Sequence, residues 1–150
     1  MIESRTILLA GEATRVLLHD ILSDGTWGVR FLTSDEVLAS ILSGLGVDVV
    51  LGSLDDPASV RAAAKGCYAV IAATETVAEG RTVIKVVGGS EVERFLLAAN
   101  VGREELQVYS QTVGNEPVFV ELESLATAAS IYLQESLEGT WRTSSLPFFL

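Results

Sequence analysis

Two glutamates, Glu12 and Glu75, each follow a short apolar run and stand where strands would end. Carboxylates brought together this way can act as general acid and general base when burial raises one pKa. They can equally be solvated loop carboxylates, the commoner fate of Glu. The remaining chemistry-bearing side chains are sparse. His19 is the only histidine and Cys67 the only cysteine, so neither a metal site nor a disulfide within the chain is expected. His19 lies between Leu18 and Asp20 on a helical stretch whose inner face is Leu18, Ile21 and Leu22, which turns it toward solvent. Cys67 adjoins a buried strand and reads as a small hydrophobe. Asp55-Asp56-Pro57 has the form of a helix cap. Tyr109, Trp27 and Trp141 read as packing residues.

The elements that must position these residues follow from an alternation of β-branched or leucine-rich runs with helical patterns. That alternation predicts an α/β fold: a doubly wound, Rossmann-like, mostly parallel sheet of about six strands with helices on both faces. Strands are expected at Thr6–Ala10, Val29–Leu32, Val47–Leu51, Tyr68–Ala73, Leu106–Ser110 and Trp141–Leu146. Helices are expected near Thr14–Ser23, ended by Gly25, then from an Asp35 cap to Ser43, and from Asp56-Pro57 to Lys65. Ser90 and Glu93 form a capping-box pattern ahead of Val92, Phe95, Leu96 and Ala99. A long helix is expected over Val118–Leu137. Within 75–89, Thr82–Val87 favours a strand by propensity, although a doubly wound fold would place loop or helix there.

Composition narrows the function classes. One domain over residues 1–150 fits the length. A net charge of −10 disfavours nucleic acid and anionic membrane surfaces as partners. No apolar run approaches the length of a membrane span, and the charged start Met1–Arg5 leads straight into a strand pattern, so neither an anchor nor a signal peptide is expected and a cytoplasmic protein is. The 49% hydrophobic content is high for a monomer and points to a homodimer, with Leu146–Leu150 as a candidate contact.

The stretches Asp24–Thr33, Gly46–Val50, Gly52–Ser59, Lys65–Val70, Gln107–Ser110 and Leu146–Phe149 together resemble NmrA-like proteins, which are atypical short-chain dehydrogenase relatives. The resemblance covers most of the chain and implies a doubly wound sheet that usually binds NADP. The departures are specific. The family's Gly-x-x-Gly-x-x-Gly turn, which brings backbone close to the pyrophosphate, is reduced to Gly11-Glu12-Ala13-Thr14-Arg15. It is about three residues short and carries an acidic side chain. Relatives commonly have Thr-Arg-Asp after the second strand, with the arginine pairing the 2′-phosphate; here Thr33-Ser34-Asp35 stands. Their adenine-contacting Asp is replaced by Ser53. Their lysine is missing from Phe119–Glu123, and Tyr132 has Ser136 rather than lysine four residues on. Relatives also continue for about as many residues again, building a substrate pocket.

These departures predict a crevice that has lost its dinucleotide, lined by Gly11, Glu12, Thr33, Thr74, Glu75, Ser110 and Gln111. The expected function is a cofactor-independent isomerase, cyclase or lyase acting on an apolar small molecule, with Glu12 and Glu75 catalytic and Gly11, Thr33, Thr74, Ser110 and Gln111 binding substrate. The alternatives are a non-catalytic regulator or binding protein, and an NAD(P)H-dependent reductase with atypical binding.

Overall fold

Thr6–Ala10 forms the first strand, β1, and four of its five residues are buried, as expected for a strand covered on both faces. The computed structural model describes residues 5–25, 27–125 and 127. After β1, a 3-10 turn over Glu12–Leu17 leads into α1, Leu18–Asp24. Gly25, in the left-handed conformation, ends that helix. The chain continues through β2 (Gly28–Thr33), α2 (Glu36–Gly44), β3 (Asp48–Leu51), α3 (Pro57–Ala64), β4 (Ala69–Thr74), α4 (Val77–Gly88), β5 (Arg94–Ala99), α5 (Arg103–Val113) and β6 (Val118–Val120). A short 3-10 turn follows at Leu122–Ser124.

All the paired strands run parallel, in the order β3-β2-β1-β4-β5-β6. The order reverses between β1 and β4, which is the topological switch point of a doubly wound sheet. Alternate residues face opposite layers. Ile7, Leu9, Phe31 and Ile71 pack against Leu17, Ile21, Leu38 and Leu42, on the side of α1 and α2. Leu8, Leu32, Val70 and Leu97 pack against Val60, Ala63, Ile84 and Leu106, on the side of α3, α4 and α5. The α/β, Rossmann-like class read from the sequence is therefore the observed one.

The caps of the first half form as expected. The Asp35 carboxylate accepts from the Val37 and Leu38 amides at 2.9 and 3.1 Å, and Asp56 accepts from the Ala58 amide ahead of Pro57. Arg30, in the middle of β2, crosses to the end of α3. Its guanidinium donates to the Ala63 and Lys65 carbonyls, both at 2.7 Å, and to Asp48 at 2.8 Å.

The second half departs from expectation. Thr82–Val87 lies inside α4, because a parallel connection from β4 to β5 needs a crossover helix and that demand overrides β-propensity. The helix expected after Ser90 is instead β5. Ser90 closes the preceding turn, its hydroxyl donating to the Val87 carbonyl and accepting from the Val92 amide. The strand expected at Leu106–Ser110 is part of α5, with Leu106 and Ser110 buried one turn apart. The helix expected from Val118 opens as β6. Its later part, Trp141–Leu146 and the tail to Leu150 lie outside the described residues.

Candidate functional site

The carboxyl ends of β1, β2, β3 and β4 enclose a crevice of about 330 Å³, lined by Gly11, Glu12, Leu32, Thr33, Ser34, Gly52, Ser53, Leu54, Ala73, Glu75 and Glu79. This is the crevice at the switch point, where open α/β sheets bind ligands. A larger hollow of about 1030 Å³ sits among strand beginnings at the other end of the sheet, beside Arg5, Lys65, Tyr68 and Val92.

Each crevice wall has a local cause. Gly11 leaves β1 at φ 101°, ψ 144°, a conformation open essentially to glycine alone. The chain then enters the 3-10 turn, where the buried Thr14 hydroxyl donates back to the Gly11 carbonyl at 2.6 Å. This tight turn carries the chain from β1 into α1. Thr33 is buried at the end of β2, and its Oγ1 accepts from the Asp35 amide at 3.1 Å. Ser53, after β3, donates its hydroxyl to the Asp55 carboxylate. Next to it, the Ser59 hydroxyl and the Ala58 amide hold the Asp56 carboxyl below its usual range.

At the end of β4, the Glu79 carboxylate accepts from the Glu75 amide at 2.8 Å, while Thr76 caps α4 by accepting from the Glu79 amide. The Glu75 carboxylate accepts from Asn100 Nδ2 at 3.0 Å.

Of the residues expected to form the site, Gly11, Glu12, Thr33 and Glu75 come together in one crevice. Thr74 does not line it; its buried hydroxyl has no partner among the described residues. Ser110 and Gln111 are placed elsewhere, since their stretch is helical. Ser110 is buried in the last turn of α5 and donates to the Gln107 carbonyl, and Gln111 is exposed on the same turn. The residues at the true end of β5 are Ala99 and Asn100. Asn100 was legible as a polar residue ending the apolar run Phe95–Ala99, and Glu79 as the fourth residue of a Thr76-x-x-Glu capping pattern. His19 is exposed and Cys67 buried, as expected.

On the β2 and β3 side the crevice presents the Ser34 and Ser53 hydroxyls beside the largely buried Leu32, Thr33 and Leu54, and the Cβ side of Gly52 is filled by Ser59. Phosphates do not fit in the usual way. Glu12, Glu75 and Glu79 line the crevice, with no Lys, Arg or His lining it among the described residues, and Glu12 opens the very turn on which a pyrophosphate would rest.

Residues 10–138 match the family described as NAD(P)H-binding. The chain belongs to this family. It has the fold of Citrobacter sp. triphenylmethane reductase, solved with NADP(H), at 14% identity over 77% of this chain and 48% of the reductase, with a TM-score of 0.63. A short-chain dehydrogenase/reductase of the wide type from Veillonella parvula, solved with NADP, matches at 15% identity over 77% of this chain and 58% of its own, TM-score 0.56. A Rossmann-fold NAD(P)-binding family protein from Shigella flexneri matches at 13% identity over 79% of this chain and 67% of its own, TM-score 0.62. A comparison with curated proteins gives no match. The chain thus spans about half the length of the first two of these structures.

The family match overturns the expectation of a cofactor-independent isomerase, cyclase or lyase in a crevice with no cofactor. The resemblance to an NAD(P)H-binding family with a Rossmann-like fold stands. The reduced glycine turn, the missing arginine and lysine and the aspartate replaced by Ser53 suggested loss of the cofactor, and the family match contradicts that.

Proposed function

We propose that this chain is the nucleotide-binding unit of an NAD(P)H-dependent reductase. The observation that carries the reading is a crevice at the β1/β4 switch point, lined toward β2 and β3 by Leu32, Thr33, Ser34, Gly52, Ser53 and Leu54, in a chain whose residues 10–138 match an NAD(P)H-binding family. The adenosine half of the nucleotide would be held there, with the Ser34 and Ser53 hydroxyls offered to it. Bound nicotinamide supplies hydride transfer, and the protein contributes binding and orientation. The chain's own carboxylates Glu12, Glu75 and Glu79 set the charge at the mouth of the crevice and make binding sensitive to ionic strength.

Fold likeness to a triphenylmethane reductase supports the reductase class, and the small molecule reduced is a proposal of class only. Calorimetric titration of the chain with NADH and with NADPH tests the reading. Saturable one-to-one binding of either nucleotide, absent in the presence of excess adenosine diphosphate ribose, is expected. Absence of binding by both overturns it.

A further inference from the structure

The layer of α1 and α2 leaves apolar side chains in water. Helical spacing puts Val37, Ile41 and the C-cap residue Leu45 on one stripe of α2, beside the face that buries Leu38, Ala39 and Leu42. The three are 71%, 57% and 64% exposed. Val49 of the outermost strand, β3, packs on this layer, so Leu51, two residues on, shares its side of the sheet. Leu51 is 56% exposed, and Leu22 near the end of α1 is 38% exposed. Residues 37–47 carry no charged side chain, although the solvent face of a surface helix is ordinarily charged or polar. The outer edge of β3 has no strand beside it among the described residues.

Five side chains of this exposure hold on the order of 500 Å² of apolar surface, a size at which an exposed patch marks an interaction site. Two such faces together bring about 1,000 Å², the area at which a specific interface begins. Charge selects the occupant. At a net charge of −10, two copies of the chain repel each other over most of their surface. They meet at least cost where charge is absent, which is along this stripe. A basic partner is drawn instead to the crevice mouth with Glu12, Glu75 and Glu79. A two-fold axis across a single helix lays the stripe antiparallel on its own copy, with Val37 near Leu45 and Ile41 near Ile41. Ser40 and Gly44, small and exposed, flank the stripe and let the two helices approach closely.

We infer that the chain self-associates as a two-fold dimer through α2, with Ile41 at the centre of the contact. This needs no nucleotide and stands or falls apart from the reading above. The test is sedimentation velocity of the full chain, of Ile41→Glu and of Val108→Glu, at low and high ionic strength. For the unaltered chain, a monomer–dimer equilibrium with a dissociation constant on the order of 10 μM is expected, tightening as salt screens the repulsion between copies. Ile41→Glu sets a carboxylate against its own copy and is expected to weaken association about 100-fold. Val108 is 63% exposed on α5, in the opposite layer, and Val108→Glu is expected to leave the constant within about twofold. A second variant leaves the stripe intact. Ser40→Cys treated with a short bismaleimide is expected to give a covalent dimer and Val108→Cys none, Cys67 being buried. A chain that stays monomeric at about 100 μM, or a dimer indifferent to Ile41→Glu, overturns the proposal. Loss of the dimer in Val108→Glu, or cross-linking through Val108→Cys and not Ser40→Cys, places the contact elsewhere and overturns it as well.

Discussion

A Cβ placed on Gly11 would lie 2.1 Å from the carbonyl oxygen of Ala73. Gly11 therefore serves the packing of β1's exit against β4 before it serves any ligand. Gly11→Ala combines a forbidden φ with a backbone clash, and the expected loss is about 3 kcal/mol, read as a lower urea midpoint at unchanged slope.

Arg30 joins β2, β3 and the end of α3 through one guanidinium, and its side chain is only 20% exposed. Arg30→Met leaves the Ala63 and Lys65 carbonyls without their donor. A loss of about 2 kcal/mol is expected by urea denaturation. Asp48 is 62% exposed, and Asp48→Asn is expected to change stability by less than about 1 kcal/mol. The two variants together separate the helix-end contacts from the ion pair.

The first half of the fold was legible because several signals agreed there. Asp35 and Asp56-Pro57 marked helix starts, Gly25 marked an end, and the strand runs were continuously apolar. In the second half the signals conflicted. Arg94-Phe-Leu-Leu-Ala-Ala is built from residues that also suit helices, and Val92, Phe95, Leu96 and Ala99 fall at helical spacing. Thr82–Val87 is β-branched yet helical, because the crossover decides. Misplacing β5 carried Ser110 and Gln111 into the expected site and left Asn100 out. The crevice residues drawn from β1, β2 and β4 were readable, since they depend only on where those strands end.

Burial raises the Cys67 thiol above its ordinary range; nearby Arg30 acts in the opposite direction and Asp48 in the same one. Below the ordinary thiol range both folded and unfolded chains keep the proton, and stability is unaffected. As pH rises through that range the unfolded chain loses its proton first, so stability falls. Denaturation followed into alkaline pH should show this fall in the parent chain and a shallower one in Cys67→Ala. The native thiol is also expected to react with a disulfide reagent far more slowly than the urea-unfolded chain.

Glu12 opens the turn that a pyrophosphate would face. Glu12→Lys replaces repulsion with attraction, and a gain of about tenfold in NADH affinity is expected at low ionic strength. The gain should shrink at high salt. A variant indifferent to salt would place the phosphates away from this turn.

The central claim is that the crevice at the ends of β1–β4 holds the adenosine half of a nicotinamide dinucleotide. Its most direct test is an amide NMR titration of the isotopically labelled chain with NADH. The account predicts saturable shifts concentrated at Gly11, Thr33, Ser34, Gly52 and Ser53, with Gly66 and Val92 at the opposite end of the sheet unmoved. Shifts centred on Gly66 and Val92, or no saturable shifts at all, would contradict it.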